Sequence, residues 1–183
     1  MRSNLNPIDF PDLHHFRAAQ GWLELGNLYE ANVELDKISP ETRLHPDVLE
    51  VQWHICFKVN LMSACMEIGS MLVRFAPERS DSWIHYTYAL HCLGRTNDAL
   101  DILVPVAHRF YSVWQVPYNL SCFCSSLGRF DDARGWFKIA LSIDDKAAQK
   151  ACIDEPDLEP LWDNTSSTIW KKAEPIINES EKD

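Results

Sequence analysis

The sequence lacks any cluster of positive charge, and this absence limits the classes of partner. Its 183 residues contain 17 lysines and arginines against 27 aspartates and glutamates, and the longest basic run is the pair Lys171 and Lys172. Proteins that bind nucleic acids or anionic membranes usually concentrate Lys and Arg on one surface. We therefore expect no nucleic-acid partner and no membrane partner.

The N-terminal region also lacks an apolar run long enough for a signal peptide or a membrane-spanning helix. This favours a cytoplasmic protein. The six cysteines lie inside apolar helical patterns rather than in loops, which favours reduced, buried thiols over a disulfide framework. Hydrophobic residues make up 46% of the chain, enough for one sizeable core, so we expect a single domain.

Glycine is scarce, but three of the six glycines are regularly spaced. Gly26, Gly94 and Gly128 are 68 and 34 residues apart, and 68 is twice 34. An alanine follows each of them by five residues, at Ala31, Ala99 and Ala133. We predict that the unit in between turns at Val59, with Ala64 as its alanine. Regular spacing of this size is typical of helical hairpin repeats.

Two of these turns are near-copies, CLGRTNDAL at 92–100 and SLGRFDDAR at 126–134. Glycine followed by arginine could bind phosphate at a helix start, but neither copy follows a predicted strand or has clustered glycines. We interpret them as hairpin turns, in which glycine ends one helix and alanine lets the two helices approach closely. Bulky residues follow four positions after each alanine, at Leu35, Ile68, Leu103 and Phe137.

These residues resemble the tetratricopeptide repeat (TPR) family, whose 34-residue hairpin carries a small residue in its first helix, glycine at the turn and alanine in its second helix. The match is clearest at Trp83, Thr87, Leu90, Gly94, Ala99 and Leu103, and again at Leu120, Ser121, Gly128, Phe130, Ala133, Phe137 and Ala140. The resemblance implies an all-α fold, a right-handed α-solenoid of antiparallel helix hairpins.

The repeat pattern predicts three regions. An N-terminal extension at 1–11 precedes a TPR-like solenoid domain at 12–162, with units near 12–44, 45–79, 80–113 and 114–146. Pro156 and Pro160 interrupt the next helical segment, so we expect 147–162 to be a shortened cap over the end of the core. Residues 163–183 are predicted to form a C-terminal helix or tail.

The resemblance implies that the concave face, lined by the first helix of each unit, binds a peptide or helix of a partner. Counting back from each turn places ten residues on this face: Leu49, Glu50, Trp53, Phe57, Ile84, His85, Tyr88, Tyr118, Asn119 and Cys122. Aromatic residues in a groove often anchor a partner. Aromatic residues at helical spacing are also typical of a core, so the alternative is that a neighbouring helix or the C-terminal tail covers Trp53 and Tyr88.

Two functions remain open at this point. The first is a non-catalytic adaptor for protein–protein interaction, and the alternative is a small TPR-type chaperone that shields an apolar segment of a client. Some co-chaperones of the family grip a C-terminal carboxylate with two lysines, two asparagines and an arginine on this face; here only Asn119 and Arg17 are suitably polar at the matching places, so that clamp is absent. Self-association is left open.

We predict no enzymatic activity, no cofactor and no metal site. Neither a Cys-x-x-Cys nor a His-Glu-x-x-His motif is present. A soft metal site built from His85, Cys92 and Cys122 is the nearest alternative. Apolar burial raises the pKa of a thiol, which argues against a catalytic cysteine.

Overall fold

The structure, a computed structural model, describes residues 7–163, and helices are the only regular elements in that range. Four antiparallel hairpins follow one another: α1 (Asp12–Glu24) with α2 (Leu28–Leu35), α3 (Pro46–Lys58) with α4 (Met62–Phe75), α5 (Ser80–Cys92) with α6 (Thr96–Leu103), and α7 (Gln115–Ser126) with α8 (Phe130–Ile143). Two shorter helices follow, α9 (Asp145–Cys152) and α10 (Glu159–Asp163). The expected all-α solenoid of helix hairpins is confirmed.

Each hairpin turns at one residue with a left-handed backbone. These residues are Gly26, Asn60, Gly94 and Gly128, with φ of 77°, 59°, 75° and 72°. The next residue in each turn donates its backbone N–H to the carbonyl five positions earlier, at N···O distances of 2.8–2.9 Å. This bond satisfies a carbonyl that the helix end would otherwise leave unpaired. The four turns are therefore the same structure, repeated every 34 residues.

The predicted turn of the second hairpin is wrong by one residue. Asn60, not Val59, adopts the positive φ, because asparagine tolerates this conformation better than a β-branched residue does. Five residues later Cys65 is fully buried, as the alanines are in the other three hairpins, whereas Ala64 is partly exposed. Every second-hairpin residue that was assigned by counting from Val59 therefore shifts by one position.

The small residues that follow the turns give a direct test of this register. Ala133 is fully buried, so Ala133→Leu should lower the free energy of unfolding by about 1–3 kcal/mol through overpacking. Ala64→Leu, at the partly exposed position next to Cys65, is the control and should cost under about 1 kcal/mol. Urea denaturation of both variants measures the difference. Equal losses would contradict the register that starts at Asn60.

The segment after the fourth hairpin folds back onto that hairpin. Helix α9 packs on α8, and the 3-10 turn Pro156–Leu158 packs on α7. Leu158 and Leu161 are buried in the same apolar cluster as Phe123 and Phe137. The predicted tail beyond residue 163 and residues 1–6 of the predicted N-terminal extension lie outside the described residues.

All six cysteines are free thiols, but the expectation that all are buried is only partly correct. Cys65, Cys122 and Cys124 are buried, Cys56 and Cys152 are half-buried, and Cys92 is exposed. Cys92 lies at the last position of α5, where its side chain reaches the surface of the hairpin end.

Candidate functional site

An open cavity of about 310 Å³ lies between α1 and α3, the first helices of the first two hairpins. It is lined by Phe16, Gln20, Leu23, Glu24, Asp47, Glu50, Val51 and His54. The repeat register explains most of this lining. Positions ten, six and two before Gly26 give Phe16, Gln20 and Glu24, and positions ten, nine and six before Asn60 give Glu50, Val51 and His54. The corrected turn therefore places the two helices in matching register along this surface.

Next to the cavity, a cluster of rings joins α3 to α5. The ring of Trp53 is stacked on His85, with centroids 4.0 Å apart and planes 7° from parallel, and it is also stacked on Phe57 at 5.1 Å. Tyr88 meets the Phe57 ring at 5.9 Å, and His54 meets His85 edge-on at 5.1 Å. Glu50 and His54 line the cavity while His54 also contacts this cluster, so the two features form one surface.

Trp53 occupies a position that is small in the other hairpins, seven residues before the turn. The equivalent residues are Ala19, Thr87 and Ser121, and all three are fully buried. Trp53 is only 4% exposed, because its large ring packs against the next hairpin at His85. The indole Nε1 of Trp53 and Nε2 of His85 are buried and have no hydrogen-bond partner among the described residues.

Burial also changes the charge states of the polar residues at this surface. Desolvation, together with the charge on His54, lowers the pKa of His85 to about 4. Desolvation and the nearby Lys58 lower the pKa of His54, so both imidazoles are neutral at pH 7. Burial and the charge of Asp81 raise the pKa of Glu50.

Arg79 pairs more closely with Asp47 than with Glu50. Its Nη1 lies 2.6 Å from an Asp47 oxygen and 3.6 Å from Glu50 Oε2. The longer distance is beyond a hydrogen bond, so Glu50 keeps most of its capacity to accept another donor or a cation.

The corresponding surface of the fourth hairpin is covered by the chain itself. Tyr118 Oη donates a hydrogen bond of 2.9 Å to the Ala151 carbonyl, and the same segment reaches back to α5 of the third hairpin, where His91 Nε2 lies 2.7 Å from Asp157 Oδ2. Leu158, which follows Asp157 in sequence, is fully buried against the α7 side of the core. The chain after α8 thus covers this face of α7.

Known structures share this architecture. TTC0263, a thermophilic TPR protein of Thermus thermophilus, superposes with a TM-score of 0.65 at 19% identity, covering 76% of this chain and 78% of that one. MamA superposes with a TM-score of 0.66 at 14% sequence identity, covering 76% of this chain and 78% of MamA. The chain has the tetratricopeptide repeat fold. YrrB, described as a TPR protein with an unusual peptide-binding site, gives 0.61 at 12% identity, with 81% of each chain covered.

The likeness of this TPR solenoid to known proteins lies in its fold rather than in its sequence. No protein-family model matches the chain, and no curated protein matches its sequence. Between residues 7 and 163, none of the TPR helices is long and apolar enough to cross a membrane.

The TPR solenoid keeps half of the predicted concave-face residues accessible. Glu50, Phe57, Ile84, His85 and Tyr88 are partly exposed or exposed. The other five, Leu49, Trp53, Tyr118, Asn119 and Cys122, are buried, which corrects their assignment to an open groove. Leu49 and Trp53 are buried because the second hairpin is shifted by one residue. Tyr118 and Cys122 are buried where the chain after α8 lies against α7, and Asn119 donates a hydrogen bond from Nδ2 to the Gln115 carbonyl of its own helix.

Of the eight residues that line the cavity, only Glu50 is among the ten predicted concave-face residues, and on the same helix the prediction omitted the buried Val51 and the partly exposed His54. The signal that could have found them is Asn60, since asparagine is the residue most often found in place of glycine at a left-handed turn. Counting from Asn60 gives Glu50, Val51 and His54 directly.

One set of potential metal ligands comes together in the described part of the chain. The ligand atoms of Glu50, His54 and His85 all lie within 4.8 Å of one another. Cys92 and Cys122, the thiols considered with His85 on sequence grounds, do not belong to this set.

Proposed function

We propose that the protein is a non-catalytic adaptor that binds a peptide or helix of a partner protein on the concave side of α1, α3 and α5. The observation that carries this proposal is the continuity of the open cavity with the ring cluster through His54. A groove that combines an open depression of mixed polar and apolar lining with partly exposed aromatic rings offers both anchoring surface and orienting polar groups to a partner. The peptide-binding site described for YrrB, which shares the fold, supports the same role.

The charge of the cavity indicates the chemistry of the partner segment. Three carboxylates, Glu24, Asp47 and Glu50, line it together with apolar residues such as Phe16. Among the described residues, Arg79 is the one Lys or Arg side chain that pairs with them. We therefore expect a segment with an apolar anchor flanked by Lys or Arg, since complementary charge favours both encounter and register.

Tyr88 is the residue best suited to test this site. It is partly exposed and touches Phe57 across the α3–α5 boundary, so Tyr88→Ala should weaken a bound peptide by at least about 2 kcal/mol, roughly 30-fold in Kd. The peptides would be selected from a random library against the full chain, and their Kd measured by fluorescence anisotropy. Tyr111→Ala, at a tyrosine that is 81% exposed outside the helical hairpins, is the matched control.

The selected sequences also distinguish an adaptor from a chaperone. An adaptor should select one consensus with fixed stoichiometry, whereas a chaperone for apolar segments should select unrelated apolar sequences. Unchanged Kd values in Tyr88→Ala for every peptide would contradict the proposed site. Trp53→Ala is unsuitable as a test, because Trp53 is buried and its removal is expected to destabilise the fold by about 3–5 kcal/mol.

We further propose that the protein works in the cytoplasm without catalysing a reaction. Free thiols throughout the described chain are typical of a reducing compartment. Burial raises the pKa of Cys65 to about 11 and raises that of Cys122 further, which makes both thiols poor nucleophiles at neutral pH.

A further inference from the structure

Two side chains of α3 and one of α5 form a compact group of metal-ligating atoms. Glu50 and His54 are four residues apart, so they project from the same face of α3 on successive turns. His85 reaches the same point from α5, and the ligand atoms of all three lie within 4.8 Å of one another. We propose that these residues form a binding site for a divalent transition-metal ion of the Zn²⁺ class.

The donor set defines the class of ion. Two imidazoles and one carboxylate suit Zn²⁺ and its first-row neighbours, whereas Mg²⁺ and Ca²⁺ prefer sites made of oxygen alone. Bonds of about 2.1 Å in a tetrahedral site place ligand atoms roughly 3.4 Å apart, so the three side chains must close by at most roughly 1.5 Å. Glu50 and His54 line the open cavity and have room for this movement.

Two of the three ligands have bonding capacity that the described residues do not use. His85 Nε2 is buried and finds no hydrogen-bond partner within the described part of the chain, which is costly for a polar atom. Among residues 7–163, the ion-pair contact of the Glu50 carboxylate is the 3.6 Å approach of Arg79, and Arg79 itself lies closer to Asp47, at 2.6 Å. A cation between Glu50 and His85 would partner both groups.

The sequence carries the same spacing twice, as Glu50-x-x-x-His54 on α3 and Asp81-x-x-x-His85 on α5. Asp81 lies outside the group of three, but its negative charge acts on both Glu50 and His54. The charge of Asp81 favours a cation at the site, whereas the positive charges of Lys58, which acts more strongly on His54 than Asp81 does, and of Arg79 beside Glu50 oppose it.

A bound ion would connect the second hairpin to the third within the proposed peptide surface, because Glu50 and His54 line the cavity and His85 belongs to the ring cluster. The site does not depend on the proposed function, because its ligands are identified by their chemistry and not by a partner. Its three protein ligands leave a fourth coordination position open.

The test is a calorimetric titration of the full 183-residue chain with ZnCl₂ after removal of metal by EDTA. One Zn²⁺ ion per chain is expected. Glu50→Gln, His54→Gln and His85→Gln should each weaken Zn²⁺ binding by more than about 100-fold. Loss of a residue that only hydrogen-bonds to a metal ligand already costs roughly 10- to 100-fold in affinity, so loss of a ligand itself should cost more. Glu67→Gln and His108→Gln, at exposed positions outside the site, are matched controls and should bind as the parent does.

Cobalt(II) separates this site from binding by the six thiols. Co²⁺ at Glu50, His54 and His85 should show visible d–d bands without the intense near-ultraviolet band of thiolate-to-cobalt charge transfer. A thiolate band, the absence of saturable Zn²⁺ binding, or unchanged affinity in Glu50→Gln and His54→Gln would overturn the proposal. These two variants decide the result if circular dichroism shows that His85→Gln is misfolded, because their side chains line the open cavity.

Discussion

Replacing Gly69 with leucine is expected to lower the free energy of unfolding by about 3 kcal/mol. A Cβ atom at this position would lie 2.7 Å from the Cα and 3.0 Å from the backbone nitrogen of Tyr86 on α5. Backbone atoms cannot turn aside as the end of a side chain can, so α4 and α5 would have to separate. The expected loss is therefore at the upper end of the range for overpacked cores.

The matched control for this change is Gly135→Leu. Gly135 is exposed in the middle of α8, and an added Cβ there would have no atom within 4 Å. Leucine should raise stability at this site by up to about 1 kcal/mol, because glycine is the poorer helix former. Urea denaturation of the two variants should differ by about 4 kcal/mol. If Gly69→Leu is as stable as Gly135→Leu, the helices do not approach at Gly69 as described.

Gly69 also shows why the second and third hairpins fit closely. Counted from the turns, its equivalents in the other hairpins are Leu35, Leu103 and Phe137, which are all buried bulky residues. With glycine at this place, α5 can approach α4 at Tyr86, the residue that follows His85. The position of α5 thus depends on the absence of a side chain at Gly69. The position of the ring cluster depends on it too, because α5 carries His85 and Tyr88.

Leu158→Ala is expected to destabilise the end of the solenoid by about 2–5 kcal/mol, because Leu158 is fully buried in the largest apolar cluster. The loss should appear first as local opening of the segment that covers α7. Cys122 is buried on α7, and burial raises the pKa of its thiol, so it should react very slowly with N-ethylmaleimide in the parent protein. In Leu158→Ala the labelling of Cys122 should be at least about tenfold faster. Lowering the free energy of local opening by about 1.4 kcal/mol makes the open state about ten times more populated.

Peptide mass mapping of the labelled protein separates the six cysteines. Leu44→Ala, at a leucine that is 48% exposed, is the matched control and should leave both stability and labelling within error of the parent. Unchanged labelling of Cys122 in Leu158→Ala would contradict the covering role of the segment after α8.

The arrangement of the hairpins was largely predictable because each turn is a local structure. A residue with positive φ and its closing hydrogen bond involve only six consecutive residues, so the spacing of glycines shows where each hairpin bends. The one error, at Val59, arose where asparagine replaces glycine. Counting from the wrong turn residue assigned Leu49 and Trp53, which are buried in the core, to the predicted groove.

The contents of the groove were less predictable, because they depend on residues that are distant in sequence. His54 and His85 are 31 residues apart, and the contact between His91 and Asp157 spans 66. Periodicity identifies which face of a helix is turned inward, but it does not show whether another segment covers that face. Tyr118, Asn119 and Cys122 occupy groove positions by register and are nevertheless buried.

Local sequence is enough to specify helix hairpins with a 34-residue repeat, since backbone conformation at each turn is a property of a few adjacent residues. The packing of distant segments, by contrast, leaves the groove open over α1, α3 and α5 and closes it over α7. It also brings Glu50, His54 and His85 together, because that meeting depends on how closely α5 packs against its neighbours.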